Sequence, residues 1–320
     1  MSLSFVFPGQ GSQFPGMGRD LALAFPVARH TFQEVDDALG QNLSALMFGG
    51  PEADLTLTEN AQPALMAVSM AVMRILVQDA KIDLVKTARF VAGHSLGEYS
   101  ALTAAGSLSV PDAARLLKRR GQAMQRAVPP GQGAMAALLG ADLALAQEIA
   151  AAAAQGQVCT AANDNAPGQV VISGHREAVE RAIAIATERG IRRSVLLPVS
   201  APFHCALMQP AADEMAQALA QVKIQAPAVS VVANVTASAV TDPETIRRLL
   251  VEQVTGAVRW RESVLFMKAQ GVDTLAEIGA GKVLSGLARR IDESLKGISV
   301  QTPADIEAFI AHLQGARAHV

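Results

Sequence analysis

Short apolar runs alternate along the chain with longer segments whose apolar residues recur at helical spacing. The runs predicted as buried strands are Phe5–Phe7, Arg89–Ala92, Val229–Asn234 and Thr274–Ile278. Helical spacing covers residues 17–38, 61–80, 208–222, 243–254 and 260–270, with a helix after Gly281 and then a last strand and helix. Because strands that alternate with helices form parallel sheets covered on both faces, the pattern predicts an α/β protein.

A different pattern interrupts this alternation in the middle of the chain. Residues 129–133, Pro-Pro-Gly-Gln-Gly, predict a linker. The residues after it predict strand 134–139, helix 141–154, strands 158–162 and 169–173, helix 175–189 and strand 191–197. This β-α-β-β-α-β order is that of the ferredoxin-like unit, with the polar stretch Asn163–Gly168 as its hairpin loop. We therefore expect an inserted ferredoxin-like small domain at 129–197, and a large domain made of 1–128 and 198–320.

Composition and charge exclude several classes of protein. The chain is 50% hydrophobic but only 4% aromatic, as expected for a core of Ala, Val, Leu and Ile in a buried parallel sheet. Its 27 basic and 29 acidic residues give a net charge of −2, which offers no global field for nucleic acid or an anionic membrane. No apolar run reaches the roughly 18 residues of a membrane span, and the first residues lack a basic signal-peptide region. We expect a cytoplasmic monomer.

Cysteines and histidines give no metal-binding pattern. The two cysteines, Cys159 and Cys205, lie far apart in sequence and form no C-x-x-C pair. The six histidines show no H-x-x-x-H spacing. We expect reduced thiols, no metal and no cofactor.

The segment Gly93-His94-Ser95-Leu96-Gly97 carries the main chemical signal. A strand that runs into G-x-S-x-G and then a helix is the nucleophile-elbow pattern of α/β-hydrolase-like folds, so the large domain is predicted to be of this type. Ser95 is the candidate nucleophile, and the glycines two residues away on each side leave room for a tight turn. The amide of Leu96, at the start of the following helix, is a candidate oxyanion donor. The alternative is an ordinary loop serine between two loop glycines.

A charged residue falls on an apolar helical stripe downstream. Ser109 is a predicted N-cap, and Ala113, Leu116, Leu117 and Met124 recur at helical spacing on one face that also contains Arg120. A buried guanidinium needs a carboxylate or an equivalent partner, because its desolvation is otherwise prohibitive. The alternative is an arginine whose charged end reaches solvent from a basic stretch.

Two loops complete the set of candidates. The glycine-rich loop at residues 8–13 follows the first strand, where open α/β sheets place their sites, although it lacks the spacing of either phosphate-binding glycine motif. His204 lies in a proline-bounded loop directly after the predicted insertion. Taken alone, it could equally be a core or surface histidine.

Together these segments resemble one family, the malonyl-CoA:acyl carrier protein transacylases of fatty-acid synthesis, which are related to the acyltransferase domains of polyketide synthases. The matching segments lie in family order: Phe7–Gln13, Gly93–Glu98, Arg120–Gln125, Asn163, Pro167–Ile172 and Pro202–His204. They span nearly the whole chain. The resemblance implies transfer of a malonyl group from malonyl-CoA to the phosphopantetheine thiol of acyl carrier protein through a malonyl-serine ester, supplying chain elongation.

The resemblance also implies roles for individual residues. It assigns Ser95 as the nucleophile and His204 as its base, with a main-chain carbonyl near Gln253 orienting the histidine. It assigns the main-chain amides of Gln10 and Leu96 to the oxyanion hole. Arg120 would pair with the free malonyl carboxylate, which supplies the partner that its position on the apolar stripe requires.

Further pocket residues are implied with less detail. His94 and Asn163 would line or support the pocket, and Phe203 favours an unbranched malonyl group over methylmalonyl. This chain departs from the family pattern at Gly256-Ala257, where Asn-Pro is common before Val-x-Trp.

Family carriers are acidic, so the resemblance also implies a local basic patch near the pocket mouth. If His204 is an ordinary histidine base, acylation is expected to fall as the pH drops through the range 5–8.

Three rival functions remain open from sequence. A serine hydrolase would share the elbow, but it has no reason to keep a charge on the stripe of Arg120. A non-catalytic interaction protein would be expected to lose Ser95, His204 or Arg120, and all three are present. A transacylase that serves malonate decarboxylation or a polyketide pathway would share every motif.

Overall fold

A computed structural model of the protein describes residues 2–317. The strands within this range are β1 Leu3–Phe7, β2 Ala88–Gly93, β3 Gly133–Leu139, β4 Cys159–Ala166, β5 Gln169–His175, β6 Arg193–Leu196, β7 Val231–Ala233, β8 Ser238–Val240, β9 Thr274–Ile278 and β10 Lys296–Val300. The α-helices are α1 Arg19–Ala24, α2 Pro26–Leu39, α3 Leu43–Gly49, α4 Glu52–Thr56, α5 Thr58–Arg74, α6 Leu84–Thr87, α7 Gly97–Ala104, α8 Val110–Ala127, α9 Leu143–Ala154, α10 Arg176–Glu188, α11 Gln209–Ala220, α12 Pro243–Thr255, α13 Trp260–Ala269, α14 Val283–Ile291 and α15 Pro303–Arg317.

The larger sheet is mixed but mostly parallel. Its six strands follow the order β10-β9-β1-β2-β7-β8, and only the edge strand β8 is antiparallel to its neighbour. Every residue of β1 and β9 is buried, as expected for strands with helices packed on both faces. The carboxyl ends of the neighbours β1, β2 and β7 therefore meet at one edge of the sheet, where open α/β folds place their ligands.

The second sheet is separate and antiparallel. Its four strands, in the order β4-β5-β3-β6, come from the β-α-β-β-α-β segment that the sequence predicts, and α9 and α10 pack against it over a core of small apolar residues. β4 contacts the larger unit through the main chain: Asp164 N donates to Val258 O at 3.0 Å, and Val258 N donates to Ala162 O at 2.8 Å. An ion pair between Asp164 and Arg261, 2.8 Å apart, adds to this contact.

The hairpin loop predicted at Asn163–Gly168 is wrong. Strand β4 continues to Ala166, with irregular register between Ala161 and Asn163 and again between Asp164 and Ala166. The polar side chains misled the prediction, because Asn163 and Asp164 are buried instead of pointing to solvent, and the Asp164 carboxylate pairs with Arg261. Only residues 167 and 168 turn between the strands.

Two helix predictions also need correction. The segment 17–38 is divided into α1 and α2, because Pro26 cannot continue a helix and Phe25 before it is extended at φ −126°. The helix predicted at 61–80 begins earlier, at Thr58, so Pro63 lies beyond its first turn, and it ends as a π-helical turn over Ile75–Asp79. Within the described chain, the stretch Thr58–Asp79 has the length and composition of a membrane span, but 89% of its apolar window is buried in the core.

Candidate active site

The turn after β2 places Ser95 at the edge where β1, β2 and β7 end. Ser95 has the left-handed φ of 54°, a strained value for a non-glycine residue that is typical of functional turns. A Cβ atom on Gly93 would lie 1.9 Å from Gly97 O, and one on Gly97 would lie 2.3 Å from Phe7 O. Only glycine fits at both positions, because strand β1, the turn and helix α7 approach one another within backbone contact.

Ser95 and His204 are in direct contact. The Ser95 Oγ lies 2.8 Å from His204 Nε2. On the other side of the ring, Nδ1 lies 2.9 Å from Gln253 O and 3.1 Å from Gly256 O. Since both carbonyls can only accept, Nδ1 carries the proton and Nε2 is free to accept the serine proton. The carbonyl of Gly256 joins that of Gln253 at the point where the sequence departs from the family pattern.

The environment of His204 favours the neutral imidazole. The side chain is buried, and this desolvation, together with the nearby charge of Arg120, lowers the pKa of His204 to about 3 despite the two carbonyl acceptors. The histidine is therefore an available base throughout the range 5–8. The low pKa of His204 places the expected fall of acylation below that range, which differs from the sequence-based prediction.

Arg120 lies on the buried face of α8 and points toward the nucleophile. It is 1% exposed, so the alternative of a guanidinium that reaches solvent is wrong. Its Nη1 donates to Gln62 Oε1 at 2.8 Å, and its Nη2 donates to Gln253 Oε1 at 3.0 Å and to Ser95 Oγ at 3.2 Å. These partners are neutral, and Nε has no hydrogen-bond partner among the described residues. The cation thus lacks a direct carboxylate partner within the described protein, which suits a site for an anionic ligand.

The two amides assigned to the oxyanion hole lie on neighbouring loops. Gln10 follows β1 and Leu96 follows β2, and these strands are adjacent and parallel. Both residues line the same cavity as Ser95. The side chain of Gln10 is held by Thr58, whose hydroxyl donates to Gln10 Oε1 at 2.8 Å. No hydrogen bond from either main-chain amide is found within the described chain, so both are available to a ligand.

The cavity beside Ser95 has a volume of about 480 Å³ and lies between the two sheets, within the usual range for small-molecule sites. His94, Asn163 and Phe203 all line it, as expected from the resemblance. The half-buried His94 ring donates from Nε2 to Asn165 Oδ1 at 2.8 Å, and desolvation lowers its pKa. Met135 of β3 and the segment 197–199 after β6 form the wall on the side of the smaller sheet.

Three polar residues near the nucleophile were not predicted from the sequence. Gln62 accepts a hydrogen bond from Arg120, and Asn234 Oδ1 accepts one from Ser95 N at 2.7 Å. Glu98 is 3% exposed, and burial raises its pKa to about 7. Glu98 follows the elbow directly, so its place in the first turn of α7 was a usable signal. Gln62 and Asn234 come from distant segments without a recognisable pattern.

The described residues contain no group of three or more His, Cys, Asp or Glu side chains that could hold a metal ion. Cys159 and Cys205 are buried free thiols. Burial raises the pKa of the Cys159 thiol to about 11, which makes it a poor nucleophile. The serine and histidine pair is therefore the nucleophilic centre that this cavity presents.

Comparison with known proteins agrees with this geometry. The acyl transferase domain family model matches residues 4–304. A malonyl CoA-acyl carrier protein transacylase from Escherichia coli K12 is 48% identical over 96% of this chain and 98% of its own length. A crystal structure of an acyl-carrier-protein S-malonyltransferase from Bartonella henselae is 55% identical, with a TM-score of 0.96 over 98% of this chain and all of that one.

A third comparison concerns a complex. A malonyl-transacylase solved together with a type II PKS acyl-carrier protein is 44% identical to this chain, with a TM-score of 0.94 over 98% of this chain and all of that one. The match of the family model to most of the chain, together with relatives near half identity over almost their full length, confirms the resemblance drawn from the motifs. This chain belongs to the acyl transferase domain family.

Proposed function

We propose that this protein is a malonyl-CoA:acyl carrier protein S-malonyltransferase that supplies malonyl groups for fatty-acid chain elongation. The observation that carries the proposal is the arrangement of Ser95 between a neutral histidine and a buried arginine. His204 Nε2 lies 2.8 Å from Ser95 Oγ, and Arg120 Nη2 lies 3.2 Å from the same atom. A nucleophile beside its base gives acyl transfer, and a buried cation beside the nucleophile selects an acyl group that carries a carboxylate.

In the first half-reaction, Ser95 Oγ attacks the thioester carbonyl of malonyl-CoA while His204 Nε2 takes the serine proton. The tetrahedral oxyanion accepts hydrogen bonds from the main-chain amides of Gln10 and Leu96. Collapse of this intermediate breaks the carbon–sulfur bond, and the imidazolium returns the proton to the leaving thiolate of coenzyme A. The product is a malonyl ester on Ser95.

In the second half-reaction, the phosphopantetheine thiol of the carrier gives its proton to His204 and attacks the ester carbonyl. The same two amides stabilise the second oxyanion, and the imidazolium then protonates Ser95 Oγ as the ester bond breaks. Each half-reaction thus returns His204 to its neutral form. No cofactor or metal takes part in this scheme.

Arg120 provides the selection of substrate in this scheme. Its buried guanidinium pairs with the free malonyl carboxylate. The N–H groups that do not bind Gln62 or Gln253 are the donors for this pair. An acetyl group would leave the buried cation without an anionic partner. Phe203, which is 8% exposed and lines the cavity, narrows the space for a branched malonyl group.

The finer description of the fold belongs to the same proposal. We infer an α/β-hydrolase-like large domain, formed by residues 1–128 and 198–320, and an inserted ferredoxin-like small domain at 129–197. The strand order of the smaller sheet and its two helices on one core support the second assignment. Reduced, buried thiols support a cytoplasmic location. Most exposed large hydrophobic side chains of the described residues, such as Leu23 and Val283, are far apart along the chain, which supports a monomer.

Intact-mass spectrometry tests the proposal. Wild-type protein mixed with malonyl-CoA should gain one malonyl group, and the group should leave when holo carrier protein is added. Ser95→Ala should gain none. Labelling of the alanine variant at the wild-type level would refute the assignment of the nucleophile, and rapid loss of the ester to water without a carrier would favour the serine hydrolase.

Transacylases of malonate decarboxylation or of a polyketide pathway would pass the mass test as well. The relative solved with a type II PKS carrier is a specific reason to consider the second pathway. Comparing the rate of malonyl transfer to fatty-acid and polyketide carriers separates these cases. We expect the fatty-acid carrier to be the faster acceptor.

A further inference from the structure

Glu98 is a buried carboxylate that the proposed reaction does not use. It is 3% exposed, lies in the first turn of α7 and is not part of the cavity lining. Its Oε2 accepts hydrogen bonds from Asn234 N at 3.0 Å and from Gln253 Nε2 at 2.8 Å. A carboxyl group at this depth is costly unless it is hydrogen-bonded, and these two donors meet that condition.

Gln253 connects Glu98 to the reacting groups. Its Nε2 donates to Ser95 O at 3.1 Å as well as to Glu98, and its Oε1 accepts from Arg120 Nη2 at 3.0 Å. Its main-chain carbonyl accepts from His204 Nδ1 at 2.9 Å. An amide has one donor end and one acceptor end, so an acceptor at the position of Glu98 Oε2 makes the Gln253 oxygen face Arg120. In the reversed orientation, two donors would face each other in a buried site.

Asn234 binds the other side of the turn that contains Ser95. Its main-chain amide donates to Glu98, while its side chain accepts from Ser95 N at 2.7 Å and donates to Gly93 O at 2.7 Å. Asn234 is completely buried, so water cannot replace a lost partner without opening the core. The Asn234 side chain binds the turn through its own contacts, so Gln253 is the neighbour whose orientation depends on Glu98.

We propose that Glu98 is a positioning residue for acylation and for malonyl selection, acting through Gln253 as a hydrogen-bond acceptor. It fixes the Gln253 amide so that its oxygen faces Arg120 and its nitrogen faces Ser95 O. The inference rests on the proposed function. It differs from a general structural role because it requires the effect to pass through Gln253.

A double-mutant cycle tests this coupling. We would measure kcat/KM for acylation by malonyl-CoA, and the ratio of malonyl to acetyl transfer, in wild type, Glu98→Ala, Gln253→Ala and the double variant. Glu98→Ala should lower kcat/KM by roughly 10- to 100-fold, as misplacing a reacting group by about 1 Å does, and should lower the malonyl-to-acetyl ratio. The double variant should be no slower than Gln253→Ala, because the side chain through which Glu98 acts is already gone.

Two further variants separate positioning from folding. Glu98→Gln keeps an acceptor oxygen without the charge and should retain kcat/KM within about threefold of wild type. Glu277→Ala is the matched control, because Glu277 is also buried and its Oε2 also accepts two hydrogen bonds, from Ser285 N and Oγ, but it does not line the cavity. It should lower the melting temperature and leave kcat/KM unchanged. If Glu98→Ala does not fold, Glu98→Met replaces it in the cycle.

Three results would overturn the inference. These are wild-type kcat/KM in Glu98→Ala, losses that multiply in the double variant, and equal losses in the alanine and glutamine variants. Wild-type protein that forms no malonyl ester would instead refute the proposed function, so the two failures are distinguishable.

Discussion

The proposed role of Arg120 in selecting malonyl over acetyl can be tested directly by substitution. Arg120→Ala should keep the fold, because the loss of hydrogen bonds is offset by removal of a buried cation. Malonyl transfer should fall by about 100-fold or more, the scale of losing a buried charged pair, while acetyl transfer holds or rises. Arg120→Lys should rescue only partly, since an ammonium lacks the bidentate geometry. The measurement is the ratio of malonyl to acetyl transfer.

The neighbouring residue Arg119 is the matched control for this measurement. It lies on the same helix but pairs with Glu214 at 3.0 Å on the outer side, with its side chain 41% exposed. Arg119→Ala should leave the ratio unchanged. If Arg120→Ala lost both activities together at a constant ratio, the arginine would be structural and the selection of malonyl would need another explanation.

The pH dependence of acylation follows from the environment of His204. Its pKa is lowered to about 3, so the imidazole is neutral at near-neutral pH and gains its proton as the pH falls toward that value. The acid limb of kcat/KM for acylation should therefore lie well below the usual histidine range. Single-turnover acylation followed from pH 8 to the lowest pH at which the protein stays folded would show it.

Glu98 is the group that could be mistaken for His204 in this profile, because its pKa is raised to about 7. Burial raises this value, so Glu98 is protonated below it and ionised above it. A step near neutral pH that disappears in Glu98→Gln would report this carboxyl and leave the assignment of His204 intact. A step in the range 5–8 that persists in Glu98→Gln would contradict a neutral base in the free enzyme.

At the scale of single elements, the sequence predicts those parts that depend on local chemistry. Strand β9 has the predicted bounds, and the elbow turn has the glycine contacts that the motif implies. The predictions failed where tertiary contacts decide the structure. Strand β4 continues through Asn163 and Asp164 because both are buried against another part of the chain. No local pattern reports such a partner, since it lies almost 100 residues away at Val258 and Arg261.

The site residues also divide into those that local sequence predicts and those that depend on tertiary contacts. Ser95 and Arg120 carry local signals, a glycine-flanked turn and a charge on an apolar stripe, whereas His204 became a strong candidate only through the ordered set of motifs. Gln62 and Asn234 carry neither kind of signal. Asn234 binds Ser95 because β7 lies beside β2, which is a property of the strand order and not of the sequence near either residue.

At the scale of the whole molecule, the proposed carrier must reach the cavity of a protein with a net charge of −2. Attraction of an acidic carrier then requires a local basic surface. Arg192 and Arg193 are exposed at the start of β6, and the chain continues from this strand into residues 197–199 of the cavity wall. Arg193 lies beside Leu139, at the end of β6 away from the cavity wall, so we test these arginines as a remote part of the basic patch that the sequence alone could not locate.

Salt and charge reversal test this docking surface. Raising the salt concentration should slow transfer to the carrier more than acylation at saturating malonyl-CoA, because screening weakens contact between exposed charges. Arg193→Glu should slow the carrier step by about tenfold, the size of effect expected for a docking charge, and leave malonyl ester formation unchanged. Arg89→Glu is the control, since Arg89 is also exposed but belongs to the larger sheet, in β2. Equal effects of the two reversals would assign the change to net charge, and salt-independent transfer would remove electrostatic docking altogether.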